Sequence, residues 1–243
     1  MKFGYSMPSA SPLYPEPPYC YKGNKVINIV FRTTSEALQE LVPAPLLPNP
    51  ENLAFVYIGE FNVDSPLKAS YREAGVGIPA IFGETFGSYL VYLYLDPALA
   101  IVPGREIWGW PKKNAEITFT EENSTFYTSV SRDGVTLISA SVNASELVES
   151  IPDQPNTPSF NLKLIPSVKK NHPPDVLQLT STTVISKKKE LYRGKATLAL
   201  NSAPADPLGS IPVLEIISGE QYIEDMSLDC GDVLFDYLAE NQR

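Results

Sequence analysis

A single histidine occurs in 243 residues. Metal hydrolases and histidine-based triads need an imidazole converging with carboxylates, cysteines or serines, whereas His172 lies in the polar turn Lys169-Lys170-Asn171-His172-Pro173-Pro174. His172 therefore reads as a loop residue, and no metal is expected. Cysteine is nearly as scarce: Cys20 and Cys230 stand far apart, and Met1-Lys2-Phe3-Gly4-Tyr5 lacks the apolar run of a signal peptide. Both features predict a cytoplasmic protein. No apolar run is long enough to cross a bilayer. Neither a Gly-x-Gly-x-x-Gly nor a Walker loop occurs, so dinucleotide and ATP chemistry find no support. Basic residues are outnumbered 19 to 28, and the net charge of -9 argues against nucleic-acid and anionic-membrane surfaces.

What is present suits a globular β protein. Hydrophobic residues make up 43% and charged residues 19%, enough apolar sequence for a sizeable core. Proline-rich residues 8–18 predict an extended arm over residues 1–20, placed to lie across a neighbouring subunit. Strands are predicted at Val26–Arg32, Leu53–Asn62, Phe82–Leu95, Ile117–Thr120, Ser124–Arg132, Val135–Val142, Val176–Ser186 and Lys195–Asn201. The Lys187-Lys188-Lys189-Glu190 run between the last two reads as a solvated hairpin end. Thr34 caps a helix that Pro43 ends, and Gly231–Glu240 predicts a short closing helix. Turn-rich residues 149–158 read as a surface loop, not a boundary, so 1–243 is one domain. Many strands, few helices and regular turns predict a mainly β (α+β) fold, an antiparallel barrel or cone-shaped sheet with small peripheral helices.

The chemistry is concentrated in Gly104-Arg105-Glu106-Ile107-Trp108-Gly109-Trp110-Pro111-Lys112-Lys113. Adjacent lysines are ordinarily solvated, but these two follow both tryptophans of the chain, two glycines and a proline. Desolvation beside indoles and a like charge next door each favour the neutral amine, which can attack a carbonyl. The apolar wall is expected to contribute more than one neighbouring charge. Trp108 and Trp110 are thus candidate substrate-binding residues.

This Gly-Arg-Glu-(x)4-Pro-Lys-Lys pattern, preceded by the aromatic strand Tyr89–Asp96, resembles the acetoacetate decarboxylase family. Similar to that family are also Val42-Pro43-Ala44-Pro45-Leu46, the Tyr71-Arg72-Glu73 run leading to Ile78-Pro79, Phe160–Pro166 and Pro212–Gly219. The resemblance implies that Lys112 is the Schiff-base nucleophile, Lys113 its neighbour and Glu73 an active-site carboxylate. It implies decarboxylation of a small β-keto acid, acetoacetate to acetone and carbon dioxide, without any cofactor, in a homo-oligomer. An arginine near the start of the first strand and a second glutamate in the next strand are not reproduced; Asn24 and Tyr57 stand at those places, with Lys25 or Arg32 as candidate substitutes. That departure keeps two other readings open, a Schiff-base aldolase-dehydratase and a non-catalytic keto-acid-binding protein.

Overall fold

The computed structural model describes residues 3–151 and 156–240. Pro152-Asp153-Gln154-Pro155, the centre of the turn-rich segment, and Met1 and Lys2 of the arm lie outside the described residues. Strands β1 (Tyr19–Arg32), β2 (Leu53–Ser65), β3 (Ala69–Phe82) and β4 (Thr85–Asp96) pair antiparallel in sequence order. Strand β5 (Lys112–Asn114) carries the lysine pair. A meander follows, β6 (Glu116–Glu122), β7 (Thr125–Arg132) and β8 (Val135–Asn143). Asp133 and Gly134 both take positive φ in the tight turn between β7 and β8, the backbone that a two-residue hairpin demands. The chain ends with β9 (Pro158–Ile165), β10 (Val176–Arg193), β11 (Ala196–Leu200), β12 (Glu215–Leu228) and β13 (Asp232–Asp236).

Seven of these strands close a ring. β9 pairs with β10, β10 with β12 and β12 with β1, all antiparallel. The ring is sealed by a parallel contact of β9 with β4 through only Ser159↔Ser88 and Phe160↔Tyr89. Further along the same edge of β4, β5 takes over, pairing Leu93↔Lys112, Tyr94↔Lys113 and Leu95↔Asn114. The lysine strand is therefore part of the barrel wall, and alternation sends Lys112 and Lys113 to opposite faces. Strands β6, β7, β8 and β11 form a second sheet over the outside of the barrel.

Two hydrophobic clusters follow from this layering. The larger lies between barrel and second sheet, where Ile27, Ile29, Phe31, Val56, Ile58, Val76 and Ile78 meet Ile117, Val130, Ile138 and Val142. The smaller fills the barrel interior with Tyr21, Phe61, Val63, Tyr71, Leu93, Leu95, Trp108 and Trp110. The mainly β barrel with short helices matches the sequence expectation. Helix α1 (Ser35–Leu41) starts where expected, with the Thr34 side chain accepting from the Ala37 N–H.

Three local expectations differ. The lysine run 187–189 lies within β10 and not at a hairpin end, because its backbone pairs with β12, where Lys188 opposes Glu224. Lys188 and Lys189 are paired with Glu220 and Asp225. The closing segment is strand before it is helix: Asp232–Asp236 finds partners on the edge of β10 at Gln178–Ser181, leaving only α2 (Tyr237–Glu240) helical. Residues 3–18 form bends and turns, with Gly4 N–H donating to Ser9 O and Leu13 N–H to Met7 O. His172 is exposed in a turn. Among the described residues no helix is long and apolar enough to cross a membrane.

On the outer face of β5 a buried carboxylate gathers the neighbouring strands. Asp206 accepts from Tyr94 Oη at 2.9 Å, Lys113 Nζ at 2.8 Å and Arg132 Nη1 at 2.6 Å. Burial alone would push its carboxyl up, but these donors together hold it below the usual 3.8. A lowered folded value means stability that is present above the unfolded value and lost as pH falls through the folded one. Asp206→Asn is expected to lower stability at pH 7 by roughly 2 kcal/mol, the scale of hydrogen bonds to a charged group. Urea unfolding at pH 7 and again well below pH 3.8 checks this: the gap to wild type narrows in acid.

Candidate active site

The segment before Lys112 is shaped to carry a side chain inward. Gly104–Trp108 forms one π-helical turn, closed by Gly109 in the left-handed region at φ 80°. Such turns widen the backbone ring and recur at functional sites. A side chain at Gly109 would be strained by that φ and would also meet Lys163 Cα at 2.6 Å. The turn is tied down by Trp108 Nε1 donating to Asp229 O at 2.9 Å, by Thr180 Oγ1 donating to Trp108 O at 2.7 Å and by Lys163 Nζ donating to Ile107 O at 3.2 Å. Arg105 donates to Lys112 O at 3.3 Å, and Glu106 accepts from Tyr14 Oη at 2.5 Å, which joins the N-terminal segment to the turn. Pro111, with no donor to give, is followed directly by the strand.

Lys112 enters the barrel interior with 2% of its side chain exposed, and Glu73, at 9%, approaches from β3 with Oε2 3.0 Å from Nζ. Oε2 has no aligned hydrogen bond, so the contact is an ion pair of loose direction. The lysine stem lies against Gly104, where a Cβ would come within 2.5 Å of Lys112 Cδ and 2.7 Å of Cε. The ammonium sits 4.8 Å from the centre of the Trp110 ring and 5.6 Å from that of Tyr71, close enough for cation–π attraction. Tyr57 Oη donates to Glu73 Oε1 at 2.7 Å. Burial first, and the Glu73 charge second, push the Tyr57 hydroxyl well above 10.0, so it stays a donor. Gly75, opposite Tyr57 in the β2–β3 ladder, leaves the space into which the ring leans; a Cβ there would lie 2.3 Å from Tyr57 Cε1.

Two cavities meet these groups. One of about 490 Å³ has Lys112 in its wall with Trp108, Trp110, Tyr71 and Tyr21. A smaller one of about 210 Å³ is lined by Glu73, Tyr57, Trp110, Tyr222 and Glu224. Burial pushes the Glu224 carboxyl above the usual carboxylate range, although Ser186 donates to it. Among the described residues, no group of three His, Cys, Asp or Glu side chains converges to hold a metal.

The structure thus brings together Lys112, Glu73, Trp110 and, through the chamber wall, Trp108. It does not bring Lys113 into the chamber: that ammonium turns outward to Asp206 Oδ1 and Ala205 O, both at 2.8 Å. Nor do Lys25 and Arg32 replace an interior cation. Lys25 pairs with Glu121 at 3.0 Å and Arg32 with Glu215 at 3.1 Å, both in exposed positions. Asn24 is buried and accepts from the Asn62 N–H. Tyr57 brings a hydroxyl, not a second carboxylate, to Glu73. Sequence reasoning missed Tyr57 and Tyr21 as site residues. Strand alternation was the available signal for Tyr71, two residues before Glu73 on one face; Tyr57 needed the cross-strand register.

Comparison with known proteins fits this geometry. The family model described as acetoacetate decarboxylase (ADC) matches residues 5–238. Acetoacetate decarboxylase 3 of Mesorhizobium japonicum is 31% identical over 100% of this chain and 95% of its own length. Acetoacetate decarboxylase of Burkholderia cenocepacia is 30% identical over 97% and 96%. Among solved structures, an acetoacetate decarboxylase superposes with a TM-score of 0.87 at 30% identity, covering 96% of each chain. The enduracididine biosynthesis enzyme MppR complexed with pyruvate gives a TM-score of 0.85 at 19% identity over 98% of this chain and 99% of its own, a likeness of fold alone. With the model spanning nearly all of the sequence, and relatives matched over nearly their whole length, this chain belongs to the acetoacetate decarboxylase family.

Proposed function

We propose that this protein decarboxylates a β-keto acid, acetoacetate being the simplest, through a Schiff base on Lys112. The observation that carries the reading is the placement of one lysine and one carboxylate, 3.0 Å apart, at the junction of an apolar chamber and a smaller cavity. Glu73 accepts a proton from the Lys112 ammonium, and the amine adds to the ketone carbon. The former carbonyl oxygen takes one proton from the nitrogen of the adduct and the proton held by Glu73, and leaves as water to give an iminium. The bond to the carboxylate then breaks, its electron pair moves to the iminium nitrogen, and carbon dioxide departs. Glu73 takes up one solvent proton and delivers it to the enamine carbon. Water hydrolyses the new iminium, releasing the ketone and restoring the ammonium. Tyr57 holds one carboxylate oxygen throughout, so the other faces the reacting atoms. Trp110 and Tyr71 supply ring faces that stabilise each cationic form of Lys112. Lys113 acts as an anchor of the lysine strand through Asp206. The reading includes residues 1–243 as one domain, a reducing compartment that suits free Cys20 and Cys230, and a homo-oligomer, tested by molar mass in solution.

Borohydride added with acetoacetate is expected to trap a covalent adduct on Lys112, located by peptide mass mapping and absent from a folded Lys112→Ala variant. Gas release separates the lyase from an aldolase-dehydratase, which would condense pyruvate with an aldehyde without releasing carbon dioxide; no adduct at all from folded protein would favour a keto-acid binder. Glu73→Gln is expected to lower kcat by about a hundredfold or more, the range of general acid–base catalysis. Gly104→Ala, which forces the lysine stem aside, is expected to reduce adduct formation at least tenfold, roughly the effect of a misplaced nucleophile, with little change in unfolding midpoint.

A further inference from the structure

The chamber in front of Lys112 is far larger than acetoacetate needs, and its chemistry is of one kind. Its volume, about 490 Å³, falls in the range that holds ligands of drug size, whereas acetoacetate is four carbons long. Among the described residues, Lys112 is the only charged one in its wall. Of the other polar side chains there, Trp110 keeps a buried Nε1–H without a partner, and the rest bond to the protein. Tyr21 and Tyr71 hydroxyls meet each other at 3.2 Å, Tyr19 Oη donates to Pro15 O at 2.6 Å, Tyr14 Oη to Glu106 at 2.5 Å, and Trp108 Nε1 to Asp229 O at 2.9 Å. What the wall presents to a ligand is mostly ring faces and aliphatic carbon. The same character continues to the rim, where Leu13, Leu67, Leu99 and Val102 are exposed.

A ketone bonded to Lys112 must project its substituents from that amine. The substituent lying in the chamber meets mostly ring faces and aliphatic carbon, with few polar partners beyond the Trp110 indole N–H and the paired tyrosine hydroxyls, and gains most by being hydrocarbon. We propose that the preferred substrate is a β-keto acid whose ketone carries an alkyl or aryl tail several carbons longer than the methyl of acetoacetate, with the tail against Val63, Leu67, Tyr21 and Trp108. This rests on the Schiff-base reading of Lys112 and specifies its substrate class.

The test compares carbon dioxide release, corrected for spontaneous loss, from acetoacetate, 3-oxohexanoate and 3-oxooctanoate, with borohydride trapping of acetone, 2-pentanone and 2-heptanone on Lys112 in parallel. Each methylene is expected to raise kcat/KM about fourfold, the value of one buried CH2, until the chamber is filled. Ala100→Phe, which narrows the chamber, is expected to lower the ratio of 3-oxooctanoate to acetoacetate turnover about tenfold or more; Leu67→Trp at the rim serves if that variant does not fold. A flat or falling profile with acetoacetate turned over overturns the proposal and leaves the Schiff-base reading standing. A rising profile that both narrowing variants leave unchanged also overturns it, because the tail then lies elsewhere. Loss of both gas release and Lys112 adducts for every compound refutes the Schiff-base reading and the substrate class with it. Adducts that strengthen with chain length, without gas release, support the tail chamber and refute only the decarboxylation.

Discussion

An ammonium and a carboxylate withdrawn together from water are the constraint on which this site is built. Neither Lys112 nor Glu73 is tolerable in the barrel interior alone, and a buried pair rarely repays its desolvation as stability. On the proposed Schiff-base reading, its worth lies in reactivity. The surrounding structure holds the pair in place by shape more than by hydrogen bonds: Gly104 admits the lysine stem, Gly75 admits the Tyr57 ring, and Tyr57 fixes one oxygen of Glu73 while leaving the other free of an aligned donor.

The same alternation that brings Lys112 inward sends Lys113 outward, and each lysine meets its own acid. Two like charges on adjacent residues are thereby separated by the thickness of a strand, one neutralised by Glu73 inside and the other by Asp206 behind the wall. The lysine pair is therefore less a device of mutual repulsion than a rivet through the sheet, with Lys112 inside against Glu73 and Lys113 between the barrel and its covering sheet against Asp206.

The strands were legible wherever β-branched and aromatic residues ran between turn signals, as at Val26–Arg32 and across the 116–143 meander. They were longer than composition alone suggested because partners extend them. β10 runs straight through three lysines, since Glu220 and Asp225 on β12 neutralise two of them. The closing strand Asp232–Asp236 was read as helix because its pairing depends on an edge roughly fifty residues away, which no local pattern reveals. Within the site, Lys112, Glu73 and the indoles followed from motif and chemistry. Tyr57 did not, because its role comes from register with Gly75, and the outward course of Lys113 was hidden until β5 was seen to pair with β4.

The ring itself is unequal around its circumference. Six of its junctions are long antiparallel ladders, while the seventh is the two-pair parallel contact between β4 and β9. That contact joins chain segments separated by about seventy residues and offers only two pairs in return, whereas the more distant pairing of β1 with β12, across roughly two hundred residues, is repaid by a long antiparallel ladder. The barrel is best regarded as a sheet with a clasp: curvature and packing bring the two ends together, and the clasp is the junction with the fewest backbone pairs to hold it. Because β5 continues the same edge of β4 a few residues further on, Lys112 sits beside the clasp, next to the most lightly held junction of the wall.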